Sequence, residues 1–490
     1  MRIVSSSRMR EIDEITIDQY GIPAAVLMEN AGIEVLNRSL ELCGFGAGDR
    51  IVCAAGGGNN GGDALVIARQ LQRRGFSRVT VVSAAGAESE LRRIHYGACE
   101  RLGIETAAFP SETAAARIAE AAVIFDGLAG TGIRGGLRGD LPGLVALINA
   151  SNAVRIAIDA PSGISESFRP GWSAVAADHT VSIGLPLRAL YMPAARPLCG
   201  NISNVEIGFP AGLREADAEA DGIHPQLTDE SLIDSLMPDL PLDSFKNRRG
   251  HLAVIGGSRG TYGAASLCAA AASRSPAGLV SLISDRDSFP HYSALHRSEM
   301  VEPAPPLREL ADRLAAFSAI AVGPGWGTEG RAEQLRIILE NGRGVLDADG
   351  INCLALAGSG RKTLPLGGRW LLTPHPGEFA RLFPDLDCRN EPYAALRTAA
   401  ERLDAVVLLK GHVSFIAAPD GRFSVVDGAF PKLGVAGSGD VLAGYAAGLV
   451  CCGMDIFDAA RLAALVHLRA AKRAAGIRDW FSSGDLIDCL

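Results

Sequence analysis

Lysine is scarce in this sequence, which has 490 residues and a formal net charge of −8. The five lysines are Lys246, Lys362, Lys410, Lys432 and Lys472. The first half of the chain therefore has no side-chain amine for Schiff-base chemistry, and arginine carries its positive charge. The negative balance argues against a general nucleic-acid-binding surface.

Cysteine pairs and long apolar runs are also missing. The ten cysteines form no CxxC pair and no Cys/His spacing of the kind that binds zinc, so the sequence argues against a zinc site. Most lie in apolar contexts typical of buried thiols, which fits a reducing compartment. No stretch reaches the roughly 18 uninterrupted apolar residues of a membrane span, and the first residues lack the apolar core of a signal peptide. We therefore predict a cytoplasmic protein that binds neither membrane nor nucleic acid.

Composition and pattern predict an α/β protein. Hydrophobic residues make up 48% and charged residues 21% of the sequence, as in soluble globular proteins, and the length predicts two or three domains. Short apolar runs alternate with helical patterns, which predicts parallel sheets covered by helices on both faces. We predict two three-layer domains, the first Rossmann-like at 1–215 and the second at 225–490, joined by a polar linker at 216–224.

The apolar runs place the predicted elements along the chain. Strand candidates in the first half are Arg50–Ala54, Val79–Ser83, Ala122–Asp126, Val154–Asp159 and His179–Ile183. Those in the second half are Leu252–Ile255, Leu279–Ser284, Ala319–Val322, Gly344–Asp347, Trp370–Thr373 and Ala405–Leu409. Helix candidates include Ala64–Arg74, Glu90–Leu102, Val441–Cys451 and Ala459–Ala475. A hairpin is predicted for Ser414–Ala417 and Phe423–Val426.

Residues 56–63 read GGGNNGGD and directly follow the apolar run at 51–55. Glycines behind a strand let the backbone turn sharply and bring its N–H groups close to an anion. Asn59 and Asn60 add side-chain donors and acceptors, and a helix predicted from Ala64 turns its positive end toward the same place. A purely structural turn is the weaker alternative, so the motif predicts a ligand site.

Two aspartates end later strands beside glycine turns. Asp126 precedes the loop that contains 130–136, and Asp159 precedes Ala-Pro-Ser-Gly at 160–163. Either carboxylate alone is more typical of a residue that caps a turn. Because parallel strands meet at one sheet edge, both together with 56–63 predict one site there.

The segment Gly434–Gly444 reads GVAGSGDVLAG. With a helix predicted to start at Asp440, the preceding Gly-Ser-Gly loop offers N–H groups to a transferring phosphoryl group, and Asp440 can take a proton from a hydroxyl. The alternative is a helix N-cap with turning glycines. Lys410 follows a buried strand and suits a nucleotide phosphate. Glu378 is interpreted as a first-turn helix acid, and His375 is held between two prolines.

Four segments of the first half, SRMREIDEITIDQYGIPAAVLMENAG, GGGNNGGDALVIAR, FDGLAGTG and IDAPSG, resemble the NAD(P)H-hydrate epimerase domain over about the first two hundred residues. That family epimerises the C6 hydroxyl of hydrated NAD(P)H, called NAD(P)HX. The resemblance implies Asp159 as the acid/base group and a K⁺ ion held by Asn60, Asp126 and Ser162. The implied substrate contacts are Asn59, Asn60, Gly61, Gly62, Asp63, Gly130, Thr131, Gly132, Ile133, Arg134, Gly135, Gly136 and Asp159.

From about Phe245 onward, GHLAVIGGSRGTYGAASLCAAAASRSPAGLV, AVGPGWG, VLDADGINCLA, LTPHPGEFARL, VVLLKG and GVAGSGDVLAG resemble the ADP/ATP-dependent NAD(P)H-hydrate dehydratase domain. The resemblance implies a ribokinase-like fold, ADP as phosphoryl donor, Mg²⁺, and a homo-oligomer. It also implies catalysis by Asp440. Implied hydrate contacts are Gly325, His375 and Asp440, and implied nucleotide contacts are Lys410, Gly411, Gly437, Ser438 and Gly439.

Several positions depart from the family patterns. Ala64 stands where glycine is common, Arg188 lies near the usual place of a lysine, and Ser438 keeps the hydroxyl of the usual threonine. Pro276 and Phe430 lie in two segments where the family usually has other residues. These departures leave the rates open, and the sequence does not decide between ADP and ATP or between NADHX and NADPHX.

The predicted function is therefore bifunctional repair of hydrated NAD(P)H. One half would interconvert the R and S epimers, and the other would dehydrate the S epimer to NAD(P)H with release of AMP and phosphate. The alternative is a small-molecule kinase of the ribokinase group, for a vitamin or sugar, with a non-catalytic binding module at its amino terminus.

Overall fold

A computed structural model describes residues 1–84, 86, 88–130, 132–133, 135–215, 219–358 and 365–490. The chain folds as two compact units, Met1–His224 and Pro225–Leu490. Thr131, Arg134 and residues 216–218 of the predicted linker lie outside the described residues. Within the described ranges, no helix has both the length and the hydropathy needed to cross a lipid bilayer.

The first unit alternates strands and helices after two leading helices. Its elements are α1 (Ser6–Asp18), α2 (Ala24–Cys43), β1 (Ile51–Ala55), α3 (Asn59–Arg73), β2 (Val79–Ala84), α4 (Glu90–Arg101), β3 (Glu105–Phe109), α5 (Glu112–Glu120), β4 (Val123–Gly127), α6 (Leu141–Ala150), β5 (Val154–Ile158), β6 (His179–Ile183), two 3₁₀ turns (Arg188–Tyr191 and Arg196–Leu198), β7 (Asn201–Val205) and α7 (Ala211–Glu215).

The sheet of the first unit is parallel and has helices on both faces. Its strand order is β3-β2-β1-β4-β5-β6-β7. Because strand side chains alternate, Ile51, Cys53 and Ala55 of β1 pack with α2, α3 and α4, whereas Val52 and Ala54 pack with α5 and α6. The order reverses between β1 and β4, and open α/β sheets bind ligands at such a point.

The second unit is built on a larger sheet. Its elements are β8 (His224–Leu227), α8 (Leu232–Leu236), β9 (His251–Ile255), α9 (Tyr262–Ser273), β10 (Leu279–Ser284), α10 (Phe289–Leu295), β11 (Met300–Pro303), α11 (Leu307–Leu314), β12 (Ala319–Val322), α12 (Ala332–Asn341), β13 (Gly344–Leu346), α13 (Asp349–Gly358), β14 (Trp370–Leu372), α14 (Pro376–Leu382), α15 (Pro392–Leu403), β15 (Val406–Leu409), β16 (Val413–Ala417), β17 (Arg422–Asp427), a 3₁₀ turn (Pro431–Leu433), α16 (Ser438–Cys451), α17 (Ile456–Ile477) and α18 (Ser483–Asp488).

This second sheet has the order β11-β10-β9-β12-β13-β14-β15-β16-β17-β8. The pairings from β11 to β15 are parallel, and the predicted hairpin of β16 and β17 is confirmed as antiparallel. Leu252 and Val254 of β9 pack with α9, α16 and α17. Ile320 of β12 points to the other face, toward Gly342 after α12. Both units therefore have the predicted three-layer α/β architecture.

The element predictions are confirmed for the central strands and fail at edges and at glycines. The four edge strands β3, β7, β8 and β11 were not predicted, because most of their residues are only partly buried or exposed and they carry no continuous apolar run. Two helices begin earlier than predicted, α3 at Asn59 instead of Ala64 and α16 at Ser438 instead of Asp440. Glycine is a weak helix former, so sequence propensity placed both starts after the glycines.

The described end of the predicted linker is attached to the first unit. Glu219 accepts hydrogen bonds from the backbone N–H and the hydroxyl of Ser5, at 2.8 and 2.6 Å. The Arg188 guanidinium pairs with Asp221 at 2.5 Å and donates to the carbonyl of Ile223. The side chain of Arg188, near the usual place of a lysine in the family, is 3% exposed, and its charge is paired within this cluster.

Candidate functional site

A cavity of about 570 Å³ opens in the first unit where β1, β4 and β5 end. Its wall is formed by α1, the start of α2, the start of α3 and the loop after β4. The predicted residues that line it are Asn59, Asn60, Asp63, Gly130, Gly132, Ile133 and Asp159. The structure thus brings three separate sequence motifs to one cavity at the reversal of strand order.

The remaining glycines of these motifs are packed elsewhere. Gly61 lies inside α3, and a Cβ there would be 2.1 Å from the carbonyl oxygen of Gly56. A Cβ at Gly56 would in turn be 1.8 Å from the carbonyl oxygen of Leu128. Gly61 and Gly62 are buried and do not line the cavity, and neither do the predicted contacts Gly135 and Gly136. The glycines at 56 and 61 let α3 start directly against the β4 loop.

Asp159 is held in a strained conformation at the cavity. Its φ is +65°, a region that residues other than glycine seldom adopt and that often marks functional sites. The backbone N–H of Ile183 donates to its carboxylate at 3.2 Å. Burial raises the pKa of Asp159 to about 6, against the Ile183 hydrogen bond and with a further rise from Asp13. A carboxyl group with this pKa can both take and return a proton near neutral pH.

Two more carboxylates share this cavity, and the sequence analysis identified only one of them as a site residue. Burial raises the pKa of Asp63 well above its ordinary value, and Asp159 and Asp13 raise it further. Burial also raises the pKa of Asp13 to about 6.

Asp13 and Arg10 were missed because they lie on α1, far from any glycine motif. With Met9 and Ile17 they form one face of that helix, and all four line the cavity. The available signal was a carboxylate at helical spacing between the two apolar residues of that face. Without knowledge of what α1 packs against, this pattern does not differ from that of an ordinary surface helix.

The predicted K⁺ ligands form a buried oxygen-rich cluster beside the cavity. Asp126 is fully buried and accepts from the Ser162 N–H at 2.7 Å and the Ser162 hydroxyl at 2.5 Å. Asn60 is 8% exposed, and both polar atoms of its side chain are buried without a partner among the described residues. A buried amide that lacks partners is costly, and amide, hydroxyl and carboxylate oxygens are ligands of hard cations. These donors therefore fit a K⁺ ion.

In the second unit, the carboxyl ends of β13 and β15 are joined by a buried ion pair. The Lys410 ammonium donates to Asp347 at 2.7 Å, with side-chain exposures of 19% and 2%. Burial lowers the pKa of Lys410, but Asp347, Glu378 and Asp440 raise it to a value above the ordinary one. A Cβ at Gly439 would lie 3.3 Å from the Lys410 nitrogen, so this cation stands beside the start of α16.

The first turn of α16 forms the predicted glycine loop. Gly437 has a φ of +84° and is the N-cap, and a Cβ there would be 2.4 Å from Leu267. The first N–H groups of a helix have no partner within it and point toward an anion. The Ser438 N–H is an exception, because it donates to the Val435 carbonyl at 3.2 Å. The cradle is thus made within the helix start itself, with Asp440 in its first turn.

Asp440 has the environment of a proton acceptor. Burial raises its pKa to about 7, and the charges of Asp347, Glu378 and Asp349 add to this while Lys410 opposes it. A carboxyl group with a pKa near the working pH is suited to general base catalysis. The structure therefore brings Asp440 close to Lys410, two residues that distant motifs singled out.

His375 and Glu378 form the capping box of α14. Nδ1 of His375 accepts from the N–H groups of Gly377 and Glu378, and the Glu378 carboxylate accepts from the His375 N–H at 2.9 Å. This confirms Glu378 as a first-turn helix acid. The cap orients the imidazole of His375, whose side chain is 51% exposed and whose Nε2 lies 3.5 Å from Oε1 of Glu378.

The remaining predicted contacts, Gly325 and Gly411, lie just after strands of the same sheet, and the two departures from the family pattern lie elsewhere. Gly325 follows β12 with a φ of +58°, and a Cβ there would be 2.6 Å from the carbonyl oxygen of Thr261. Gly411 follows β15 directly. Pro276 lies in the loop between α9 and β10, where its carbonyl accepts from Arg249 at 2.7 Å, so it interrupts neither element. Phe430 packs against the apolar cluster of α16, α17 and α18.

Two families match the chain, one for each unit. Residues 24–189 match the family described as YjeF-related protein N-terminus, and residues 252–485 match the family described as NAD(P)H-hydrate dehydratase. These ranges contain both site regions, except for α1, which precedes the first match, and the lining residues Ile207 and Phe209, which follow it. The second match agrees with the ribokinase-like fold predicted for the second unit.

Individual relatives match over nearly the whole chain. The bifunctional NAD(P)H-hydrate repair enzyme Nnr of Salinibacter ruber is 33% identical, with 100% of this chain and 95% of the relative covered. The enzyme of the same name from Coxiella burnetii is 31% identical over 96% of this chain and 95% of its own length. Among solved structures, the ADP/ATP-dependent NAD(P)H-hydrate dehydratase of Bacillus subtilis, co-crystallised with ATP and Mg²⁺, is 25% identical. It covers 53% of this chain and 94% of its own, with a TM-score of 0.47. Since both units and their order match, the chain belongs to the family of bifunctional NAD(P)H-hydrate repair enzymes.

Proposed function

We propose that the first unit epimerises R- and S-NAD(P)HX and that the second dehydrates S-NAD(P)HX with ADP as phosphoryl donor. The observation that supports this most directly is that each unit has, at its candidate site, one carboxyl group suited to proton transfer. Asp159 has its pKa raised to about 6, and Asp440 has its pKa raised to about 7. Each lies beside a helix start that can hold phosphate groups.

In the first cavity, the Asp159 carboxyl group would donate a proton to the C6 hydroxyl of the hydrated ring as the ring nitrogen expels it as water and the C6–O bond breaks. Water then adds to the opposite face of C6, and the Asp159 carboxylate takes the proton that this water loses. Gly58, Asn59 and Gly130 line the wall near the start of α3, where the phosphates of the substrate would bind. The strained backbone of Asp159 and its Ile183 hydrogen bond fix the direction of the carboxylate. The reaction needs no net proton, because the group that gives one up recovers it.

In the second unit, the Asp440 carboxylate would take the proton of the C6 hydroxyl. The oxygen then forms a bond to the terminal phosphorus of ADP, and AMP leaves. The ring nitrogen expels inorganic phosphate from C6, and loss of a proton from C5 restores the C5–C6 double bond of the dihydronicotinamide. The N–H groups at the start of α16 and the Lys410 ammonium would stabilise the charge on the transferring phosphoryl group.

Two ions complete the proposal. K⁺ would be held by Asn60, Asp126 and Ser162, and it would fix the β4 loop against α3. Mg²⁺ would neutralise nucleotide phosphates. Within the described residues no group of three or more His, Cys, Asp or Glu side chains could hold a metal, which suits an ion bound largely through phosphates and water. ADP is proposed over ATP on the fused domain order, and NADHX and NADPHX are both proposed substrates.

We also propose a cytoplasmic homo-oligomer. All ten cysteines are free thiols, and seven of them are buried, which suits a reducing compartment. Size-exclusion chromatography with light scattering measures the oligomeric state.

The function is tested with the two epimers of NADHX supplied separately. With ADP and Mg²⁺, S-NADHX should recover the absorbance of the reduced ring and yield AMP and phosphate. R-NADHX should do so only if the first unit is active. Asp159→Asn should block the R epimer alone, because asparagine tolerates a positive φ and preserves the fold. Asp440→Asn should block both epimers. No recovery by the wild type from either epimer would refute the proposal.

The kinase alternative makes a different product. A small-molecule kinase would release a stable phosphorylated compound, and its first unit would have no effect on R-NADHX. The full-length match to bifunctional repair enzymes argues against it. Product analysis by ³¹P NMR distinguishes inorganic phosphate from a phosphate ester.

A further inference from the structure

The described wall of the first cavity has an uneven distribution of charge. Three carboxyl groups line it, those of Asp13, Asp63 and Asp159, and Arg10 is the only lysine or arginine among its described lining residues. A hydrated dinucleotide carries at least two negative charges on its pyrophosphate. Its approach is unfavourable to the extent that these carboxyl groups are ionised, because like charges repel strongly in a partly enclosed cavity, and a cation in the wall offsets that repulsion.

Three other arginines of the first unit have carboxylate partners in the fold. Arg69 pairs with Glu29, and Arg92 pairs with Glu88 and donates to the Gly56 carbonyl at 3.0 Å. Arg188 is buried in its cluster with Asp221, as described above. The first half has no lysine at all. Arg69, Arg92 and Arg188 are also not among the residues that line the cavity.

Arg10 differs from these arginines in exposure and in surroundings. It lies in the second turn of α1, is exposed, and has no carboxylate partner within the described part of the chain. Its Nη2 atom is 4.0 Å from the position that a Cβ of Gly132 would occupy. The guanidinium therefore reaches the loop after β4, whose glycine leaves room for it.

The start of α3 lines the same cavity as Arg10. Gly58 and Asn59 belong to it, and a helix N-terminus attracts phosphate through its free N–H groups. Asn60 stands next to them in the cavity wall, and both polar atoms of its buried side chain lack a partner in the part of the chain that the structure describes, so its amide nitrogen remains a free donor even if its oxygen holds K⁺. A phosphate group at this wall would meet the helix start and an arginine with no carboxylate partner in the ranges that the structure describes.

On this geometry, we propose that Arg10 binds a phosphate group of the hydrated dinucleotide and so sets the affinity of the epimerase site. The inference rests on the proposed epimerase function. Arginine suits this role because its planar guanidinium can donate two parallel hydrogen bonds to phosphate oxygens. The phosphate is either the pyrophosphate, common to NADHX and NADPHX, or the 2′-phosphate of NADPHX alone.

The test compares Arg10→Gln, Arg10→Lys and the control Arg101→Gln in the full-length protein. Arg101 is an exposed residue in the last turn of α4 and does not line the cavity. Conversion of the R to the S epimer is followed for both substrates. Arg10→Gln should raise KM about tenfold to a hundredfold with little change in kcat, as expected for loss of a charge-assisted hydrogen bond. Arg10→Lys should give an intermediate KM, and Arg101→Gln should match the wild type.

The two phosphates give different results. If Arg10 contacts the pyrophosphate, Arg10→Gln raises KM for both substrates equally. If it contacts the 2′-phosphate, Arg10→Gln raises KM only for NADPHX. In either case the salt dependence of KM should become weaker in Arg10→Gln. An active wild type with unchanged KM in Arg10→Gln would overturn the inference, and so would equal losses in Arg10→Gln and Arg101→Gln. An inactive wild type would instead overturn the proposed function. If Arg10→Gln unfolds, Arg10→Lys decides by the same criterion.

Discussion

The Lys410 ammonium lies 2.7 Å from a carboxylate oxygen of Asp347, although β14 separates the strands that these residues follow. Asp347 is almost completely buried, and Lys410 is mostly so. The pair therefore spans three strand ends and brings a positive charge to the start of α16. The order of the strands brings together two residues that are 63 positions apart in the chain.

Removal of this lysine should affect both stability and nucleotide binding. Lys410→Met would leave a buried carboxylate unpaired, so we expect a loss of about 3–5 kcal/mol in the free energy of unfolding. The double variant Lys410→Met/Asp347→Asn should recover most of that loss. Nucleotide affinity should stay low in both variants, because neither has the cation. Chemical denaturation and ADP titration measure the two effects, and recovered affinity in the double variant would contradict the assignment of Lys410.

Dehydration should fail as the pH falls through about 7. Asp440 acts as a base only when ionised, and its raised pKa means that protonation begins near neutrality. We expect kcat/KM to fall about tenfold for each pH unit below 7. Because Glu378 raises the pKa of Asp440, Glu378→Gln should move this fall to lower pH while preserving the capping box. A rate that is flat from pH 5 to 8 would contradict the role of Asp440.

Potassium should stabilise the first unit. If Asn60, Asp126 and Ser162 bind K⁺ in the folded state only, a K⁺ concentration one hundred times the Kd adds about 2.7 kcal/mol. Differential scanning calorimetry in KCl and in LiCl should show this as a higher unfolding temperature in KCl. Ser162→Ala should reduce the difference. Ser165→Ala, a buried serine outside the predicted ligands, should keep it. Equal unfolding temperatures in both salts for the wild type would argue against the ion.

Gly61, in the first turn of α3, should not tolerate a side chain. Gly61→Ala would place a methyl group 2.1 Å from the Gly56 carbonyl oxygen and should cost about 1–3 kcal/mol. It should also abolish conversion of the R epimer while dehydration of the S epimer continues. Gly97→Ala is the control, because a Cβ there meets only the end of Arg101, at 3.9 Å. It should stabilise α4 by about 0.5–1 kcal/mol, and epimerisation that survives Gly61→Ala would refute the packing argument.

The sequence alone determined the layered α/β class and most central strands, because a strand buried on both faces needs a continuous apolar run. It also located both glycine loops and the aspartates at strand ends, since few residue types can turn sharply or carry a carboxylate to a sheet edge. The resemblance to known families then connected these motifs to one chemistry, which the relatives support over the full chain.

Only the tertiary structure decided which of these residues meet. It placed Arg10 and Asp13 of α1 in the wall of the first cavity. It also showed that Arg188 forms an ion pair with Asp221 and that α3 begins at Asn59. Helical spacing cannot tell what a face packs against, and propensity cannot tell that a glycine is held against a carbonyl oxygen. Charges, cavities and close contacts depend on atoms far apart in the chain, so they are fixed when the sheet brings strand ends together.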